Sequence, residues 1–270
     1  MSWLKRLVPE AARSALRDLA RRARWVWRRR GRKQIHELRW KRAGAVWACD
    51  FTDPDEPIEG GYAAVFVVRD LASGKALCSE PLREASVAEV ASVLARLFAV
   101  HGAPLVLKSD NGSALVAWAV DLLLAAQGVL HLRSPVRMPR YNGACEAGIG
   151  ALKVLAARIA AEHGRVGLWS CDDVEAARLL GNASAQAPCD RARTPDAVWA
   201  ARERLCDDER AKLHALYQAA AARERELRGH PAELQLGVNE QASIDRVALG
   251  RALVEAGILE VRWRSISPPI

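Results

Sequence analysis

The sequence predicts an α/β fold, and three features predict it. From residue 43 onward, short apolar runs of strand length alternate with stretches whose apolar residues recur at helical spacing. One of those runs, residues 62–68, is apolar almost throughout, as in a strand covered on both faces. Finally, three acids, Asp50, Asp110 and Glu146, each stand at the edge of a predicted element.

Taken in order, residues 9–30 form a helix: Pro9 suits a first turn, Ala12, Ala15, Leu16, Leu19 and Ala23 share one face, and arginine covers the other. Trp25 and Trp27 interleave with Arg28, Arg29 and Arg30, a pattern that fits phosphate contact with stacking on DNA and equally fits a solvated face. Residues 45–51, 62–68 and 75–79 read as strands, with a turn at 70–74 between the last two. Asp53, Asp55 and Glu56 are solvated loop charges. Ser86 caps a helix whose apolar face is Val87, Val90, Ala91, Leu94, Leu97 and Phe98, ending near Gly102. Pro104 starts the strand that ends in Asp110, and Ser113 is the expected N-cap of a helix over 114–127 that Gly128 closes. A strand over 129–132 completes a β-β-β-α-β-α-β order.

Residues 134–141 read as a basic, proline-containing loop that offers Arg137 and Arg140 to a DNA backbone. Asn142 is placed to cap the helix carrying Glu146, on which Ile149, Leu152, Ala156 and Ile159 face the core. Further helices are expected over 169–186, 200–228 and 244–255, with Asn182 fixing backbone locally and residues 258–264 ending the chain's regular structure.

Three acids at element edges suggest a metal site. Magnesium prefers oxygen ligands, and a pair of ions suits in-line displacement at phosphorus. Singly, each acid also fits ordinary strand-end or Asp-Asn-Gly turn chemistry. Together, Trp47-x-x-Asp50-x-Thr52, Ser109-Asp110-Asn111-Gly112 and Tyr141-Asn142-Gly143-x-x-Glu146, with thirty-five residues between the second and third acids, resemble the catalytic core of DDE transposases and retroviral-type integrases. The resemblance spans about residues 44–200. It implies a ribonuclease H-like fold: a central mixed five-stranded sheet flanked by helices, with the first and fourth strands side by side.

The same resemblance implies catalytic, metal-binding roles for Asp50, Asp110 and Glu146. It also implies two Mg2+ ions with Mn2+ as substitute, and strand cleavage followed by 3′-hydroxyl strand transfer. Lys153 matches the lysine that often follows the glutamate and contacts DNA; Asn142, Arg137, Arg140 and Arg28–Arg30 complete the candidate DNA-binding set. The implied partners are double-stranded DNA, both element ends and target, and further copies of the chain. The arm before Trp47 is short for the helix-turn-helix that many members carry, and nothing resembles their His-His-Cys-Cys zinc module. A separately encoded DNA-binding protein is therefore a further expected partner. The alternatives are a ribonuclease H-like nuclease that only hydrolyses, and a non-catalytic DNA-binding or assembly protein derived from a transposase.

Composition agrees. The chain has 270 residues, 50% hydrophobic, enough for a full-sized domain with appendages. The domains expected are a basic arm over 1–42, the core over 43–200, a helical extension over 201–229 and an appendage over 230–270. Of the net +8, residues 1–42 carry fifteen Lys or Arg against Glu10, Asp18 and Glu37. A basic arm on a mildly acidic body suits a polyanion. No run approaches the roughly 18 apolar residues of a membrane span, and six scattered cysteines suit reduced thiols in a bacterial cytoplasm, near the nucleoid.

Overall fold

Five strands of one mixed sheet organise the computed structural model, which describes residues 12–30, 33–135, 139–231 and 233–266. In chain order the elements are α1 (Arg13–Arg30), β1 (Lys33–Trp40), β2 (Val46–Thr52), β3 (Ala64–Asp70), β4 (Ala76–Leu82), α2 (Val87–His101), β5 (Val106–Ser109), α3 (Trp118–Ala126) and β6 (Leu130–Arg133). A short 3-10 turn (Pro139–Asn142) leads into α4 (Gly143–Glu162). There follow α5 (Cys171–Ser184), α6 (Pro195–Ala200), α7 (Asp207–Leu227), α8 (Val238–Glu255) and β7 (Leu259–Ile266). The chain divides into two compact units: one holds the described residues through Leu38 with those from Val261, the other Arg39–Glu260. In the first, β1 and β7 form a two-stranded sheet; β1 carries no strand signal that the sequence reading recognised, since Lys33-Gln-Ile-His-Glu-Leu38 is mostly polar.

In the second unit the strand order is β4-β3-β2-β5-β6. The hairpin strands β2, β3 and β4 are antiparallel, while β2, β5 and β6 run parallel. The first and fourth strands of this sheet are therefore neighbours, as expected of a ribonuclease H-like layout. Alternation along each strand sorts the side chains onto two faces. Ala48, Val65, Val67 and Val106 meet Cys145, Ile149 and Leu152 of α4 on one face. Trp47, Phe66, Val68 and Leu107 meet α2 and α3 on the other. Sealing both faces explains why β3 needed an apolar run rather than alternation.

Caps fix several helix starts. Ser86 accepts the Glu89 N–H, Ser170 and Asp173 form a reciprocal capping box, and Thr194 accepts the Ala197 N–H. Ser113 does not cap: residues 113–115 form a turn, and α3 begins only at Trp118 without a side-chain cap. The Asp110 side chain takes the Gly112 N–H instead at 2.9 Å, so the turn is built around the acid. Asn182 acts at long range: its amide both accepts from the N–H and donates to the carbonyl of Ala76, tying α5 to edge strand β4.

Asp70 closes the β3–β4 turn from inside. Fully buried, it accepts from the Gly44 N–H (2.8 Å), the Ser73 N–H (2.7 Å) and the Ser73 hydroxyl (2.6 Å). Burial pushes its carboxyl above the ordinary aspartate range, and these three donors hold it down. Replacing it strands buried donors, which costs more than the lost bonds themselves. Asp70→Ala is expected to lower folding stability by about 3 kcal/mol in urea unfolding, with Asp70→Asn intermediate; equal stability of all three forms would contradict this role.

Candidate active site

Parallel pairing of β2 with β5 sets the geometry. Val46 pairs with Val106, Trp47 with Leu107 and Ala48 with Lys108. Asp50 lies two residues beyond Ala48 and Asp110 two beyond Lys108, so the same end of two adjacent strands delivers both acids. Asp50 stays on the face covered by α4, opposite Val67. The backbone at Asp110 is pinned: its carbonyl accepts from the Ser109 hydroxyl (2.8 Å), and Asn111 donates to the Ser134 carbonyl (2.7 Å). Glu146 stands exposed on the first turn of α4, where the helix N-terminus favours a carboxylate.

Asp50 is the most constrained of the three. Its Oδ1 accepts the Phe51 N–H (2.9 Å) and its Oδ2 the Asn142 side-chain amide (3.1 Å). Burial raises its carboxyl above the ordinary aspartate range, the charge of Asp110 raises it further, and Glu146 adds a smaller push; the two donors act in the opposite direction. Asn142 occupies the N-cap position as expected, yet its side chain makes no cap bond and serves Asp50 instead. Its buried carbonyl oxygen has no hydrogen-bond partner. Oxygen-only donors, three accumulated carboxylates and this orphaned oxygen fit a hard divalent cation. The side chains are not closed into a coordination shell: among the described residues no three of His, Cys, Asp and Glu stand close enough to hold an ion as they are.

The other candidates separate. Lys153 reaches back to the Asp53 carbonyl at 2.6 Å, on the loop that follows β2. Arg137 lies outside the described residues, and the side chains of Arg140, Arg28, Arg29 and Arg30 lie outside the described part of their segments. Sequence reasoning missed two buried polar groups. Lys108 is buried beneath the acids, donates to the Tyr141 carbonyl and lies 4.4 Å from the centre of the Tyr141 ring. Burial pulls its ammonium down to about 8 against the charges of Cys145 and Glu146. On the opposite face, Ser109, His131 and Asp121 form a line (2.8 and 3.1 Å), with Arg133 donating to both Asp121 oxygens. Ser109 is fully buried, so this line braces the strand end at Asp110 and presents no nucleophile. Its members come from three elements, and no local spacing announces them.

Residues 41–139 match the family model described as "Integrase core domain". A Caenorhabditis elegans protein, "Uncharacterized protein K02A2.6", is 30% identical over 125 residues, which is 46% of this chain and 10% of that protein. The chain thus matches only about a tenth of that relative's length. Among solved structures, the simian T-cell lymphotropic virus intasome in complex with PP2A regulatory subunit B56 gamma shares 19% identity, with a TM-score of 0.53, over 66% of this chain and 63% of that one. The HTLV-2 integrase catalytic core domain in complex with magnesium (dimeric form) shares 18% identity, with a TM-score of 0.47, over 58% of this chain and 99% of that one.

Because Asp50 titrates above its ordinary value when folded, its ionisation opposes folding. The penalty is absent below the ordinary aspartate range and grows as pH rises through the raised value. In carboxyl-carbon NMR titrations of metal-free protein, Asp110→Asn is expected to lower the Asp50 midpoint and Asn142→Ala to raise it; shifts of the same sign would refute this assignment of causes.

Proposed function

The chain carries an integrase core domain on a ribonuclease H-like fold, and from that premise we propose that it is the catalytic protein of a DNA transposase or integrase, a metal-dependent polynucleotidyl transferase. The observation that carries the reading is the delivery of Asp50 and Asp110 by adjacent parallel strands, with the charge of Glu146 acting on Asp50. Asp50, Asp110 and Glu146 would hold two divalent cations, magnesium or manganese in its place. Such ions, when bound, stabilise the attacking and leaving oxygens of an in-line displacement.

The chain's own residues prepare that site. Asn142 and the Phe51 N–H hold the Asp50 carboxylate, one on each oxygen, and the Gly112 N–H fixes one oxygen of Asp110. Glu146, exposed, keeps the side-chain freedom to complete the set. In the reaction, a water oxygen attacks a phosphodiester at an element end and the 3′ oxygen departs, taking a proton. The freed 3′-hydroxyl then attacks a target phosphodiester and displaces a second 3′ oxygen. No bond forms between protein and DNA, and no serine or tyrosine nucleophile is required.

Lys153, Arg137, Arg140 and Arg28–Arg30 would hold the phosphate backbone, which makes binding fall steeply with salt. Double-stranded DNA, as element end and target, is the proposed partner, bound by a homo-oligomer with a separate DNA-binding protein for end recognition. The domains keep the proposed limits of 1–42, 43–200, 201–229 and 230–270, and the proposed place of action is the bacterial nucleoid. Among the described residues no helix is long and apolar enough to cross a membrane.

The test is nicking and joining of supercoiled plasmid with Mg2+ or Mn2+. Asp110→Asn and Glu146→Gln are each expected to cut the rate by a factor on the order of a thousand while DNA binding persists. Hydrolysis without joining would favour a nuclease, and tight salt-sensitive binding without turnover a non-catalytic assembly protein.

A further inference from the structure

Beneath the acids runs a row of three residues, one from each of three neighbouring strands. Ala48 on β2 pairs with Arg69 on β3 and with Lys108 on β5. Paired residues share a face, so both cations flank Ala48 on the side covered by α4. The small Ala48 leaves room for them, and Asp50 stands in the next position along β2 on that face.

Each cation meets the start of α4. Lys108 donates to the carbonyl of Tyr141, just before the helix, and lies against its ring. Arg69 donates to the Gly74 carbonyl at 2.6 Å and runs under Gly148, two residues after Glu146. A Cβ built on Gly148 would lie 1.2 Å from the guanidinium Nη1 and 2.3 Å from its Cζ. Gly148 does not have a positive φ, so its backbone makes no demand for glycine; a larger residue there would instead have to displace the Arg69 guanidinium from its place on the Gly74 carbonyl. Gly150, on the same helix, has nothing within 4 Å of a built Cβ.

We propose that Arg69, with Lys108 beside it, is a positioning residue for Glu146: the guanidinium fills the space beside Gly148 and sets the height of the α4 N-terminus above Asp50. The first turns of the helix thus rest on two cations as well as on the apolar Cys145 and Ile149. The charge of Lys108 also reaches Glu146, so it steadies that acid before any divalent ion arrives.

This inference rests on the proposed role of Glu146, and the experiment separates the two. Arg69→Met, Gly148→Ala, the double variant Arg69→Met/Gly148→Ala, Lys108→Met and the control Gly150→Ala are compared as full-length, metal-free proteins by amide exchange over residues 143–150. Each of Arg69→Met, Gly148→Ala and Lys108→Met is expected to exchange about tenfold faster there. The double variant should return toward wild type, because the shorter cation-free side chain makes room for the new methyl. Gly150→Ala should exchange no faster, since alanine favours the helix.

Plasmid cleavage then reads position. Gly148→Ala is expected to lose about a hundredfold in kcat with little change in KM for DNA, to need more Mn2+ for half-saturation, and to be rescued in the double variant. Unchanged exchange in the single variants, or additive losses in the double, would overturn the inference. Coupled exchange in a protein that never cleaves DNA would uphold the packing of Arg69 against Gly148 and overturn instead the proposed catalysis.

Discussion

Everything at the candidate site depends on β2 and β5 lying side by side in parallel. Three backbone pairs, Val46 with Val106 through Ala48 with Lys108, set the register, and the acids follow two residues later on each strand. A slip of one residue would turn one acid to the opposite face of the sheet, because side chains alternate with a period of two. The surrounding structure resists that slip. Trp47 is buried against Phe98 and Trp199, with ring centres 5.7 and 6.3 Å away, and Leu107 is buried beside it. Packing on the far face thus holds the acids in register on the near one.

That register gathers charge where charge is costly. Asp50 is partly buried and feels Asp110 and Glu146, and its raised carboxyl reports the strain. The chain's own groups offset the repulsion through small, separate concessions. Two donors hold Asp50, a turn N–H holds Asp110, and Glu146 stays in water at a helix N-terminus. Carboxylates without a cation are better apart than together, so an exposed third acid is the arrangement electrostatics favours before an ion binds.

Much of this was legible in the sequence because the informative signals were local. The fully apolar run ending in Val68 announced a covered strand, Ser86 and Asn142 marked helix starts, and each acid sat at the end of its own element. What escaped was long-range. Lys33 to Leu38 is too polar to read as a strand, since its pairing with β7 comes from the far end of the chain. Ser113 has the chemistry of a cap but lies in a turn shaped by Asp110. Asn142 was placed correctly at the cap position, while its side chain answers to Asp50, ninety-two residues away. Arg69, Lys108 and Asp70 carry no local signal of burial, because nothing in their neighbours says that a helix or a buried turn will cover them.

The buried cations give the site an asymmetry with a physical consequence. On the α4 face, Lys108 and Arg69 lie against the start of the helix that carries Glu146, whereas on the other face the support at Asp110 is a hydrogen-bonded line from Asp121 through His131 to Ser109. The two supports differ in how they fail. Loss of a link in the line leaves Asp121 and Arg133 partly exposed, where water can satisfy them at modest cost, whereas loss of a buried cation empties the space beneath the first turns of α4. The strand end at Asp110 is therefore the tolerant part of the frame and the α4 base the sensitive one. Sequence change should accumulate in the Asp121, His131 and Arg133 line before it reaches Arg69 and Gly148, since those two must change together or not at all.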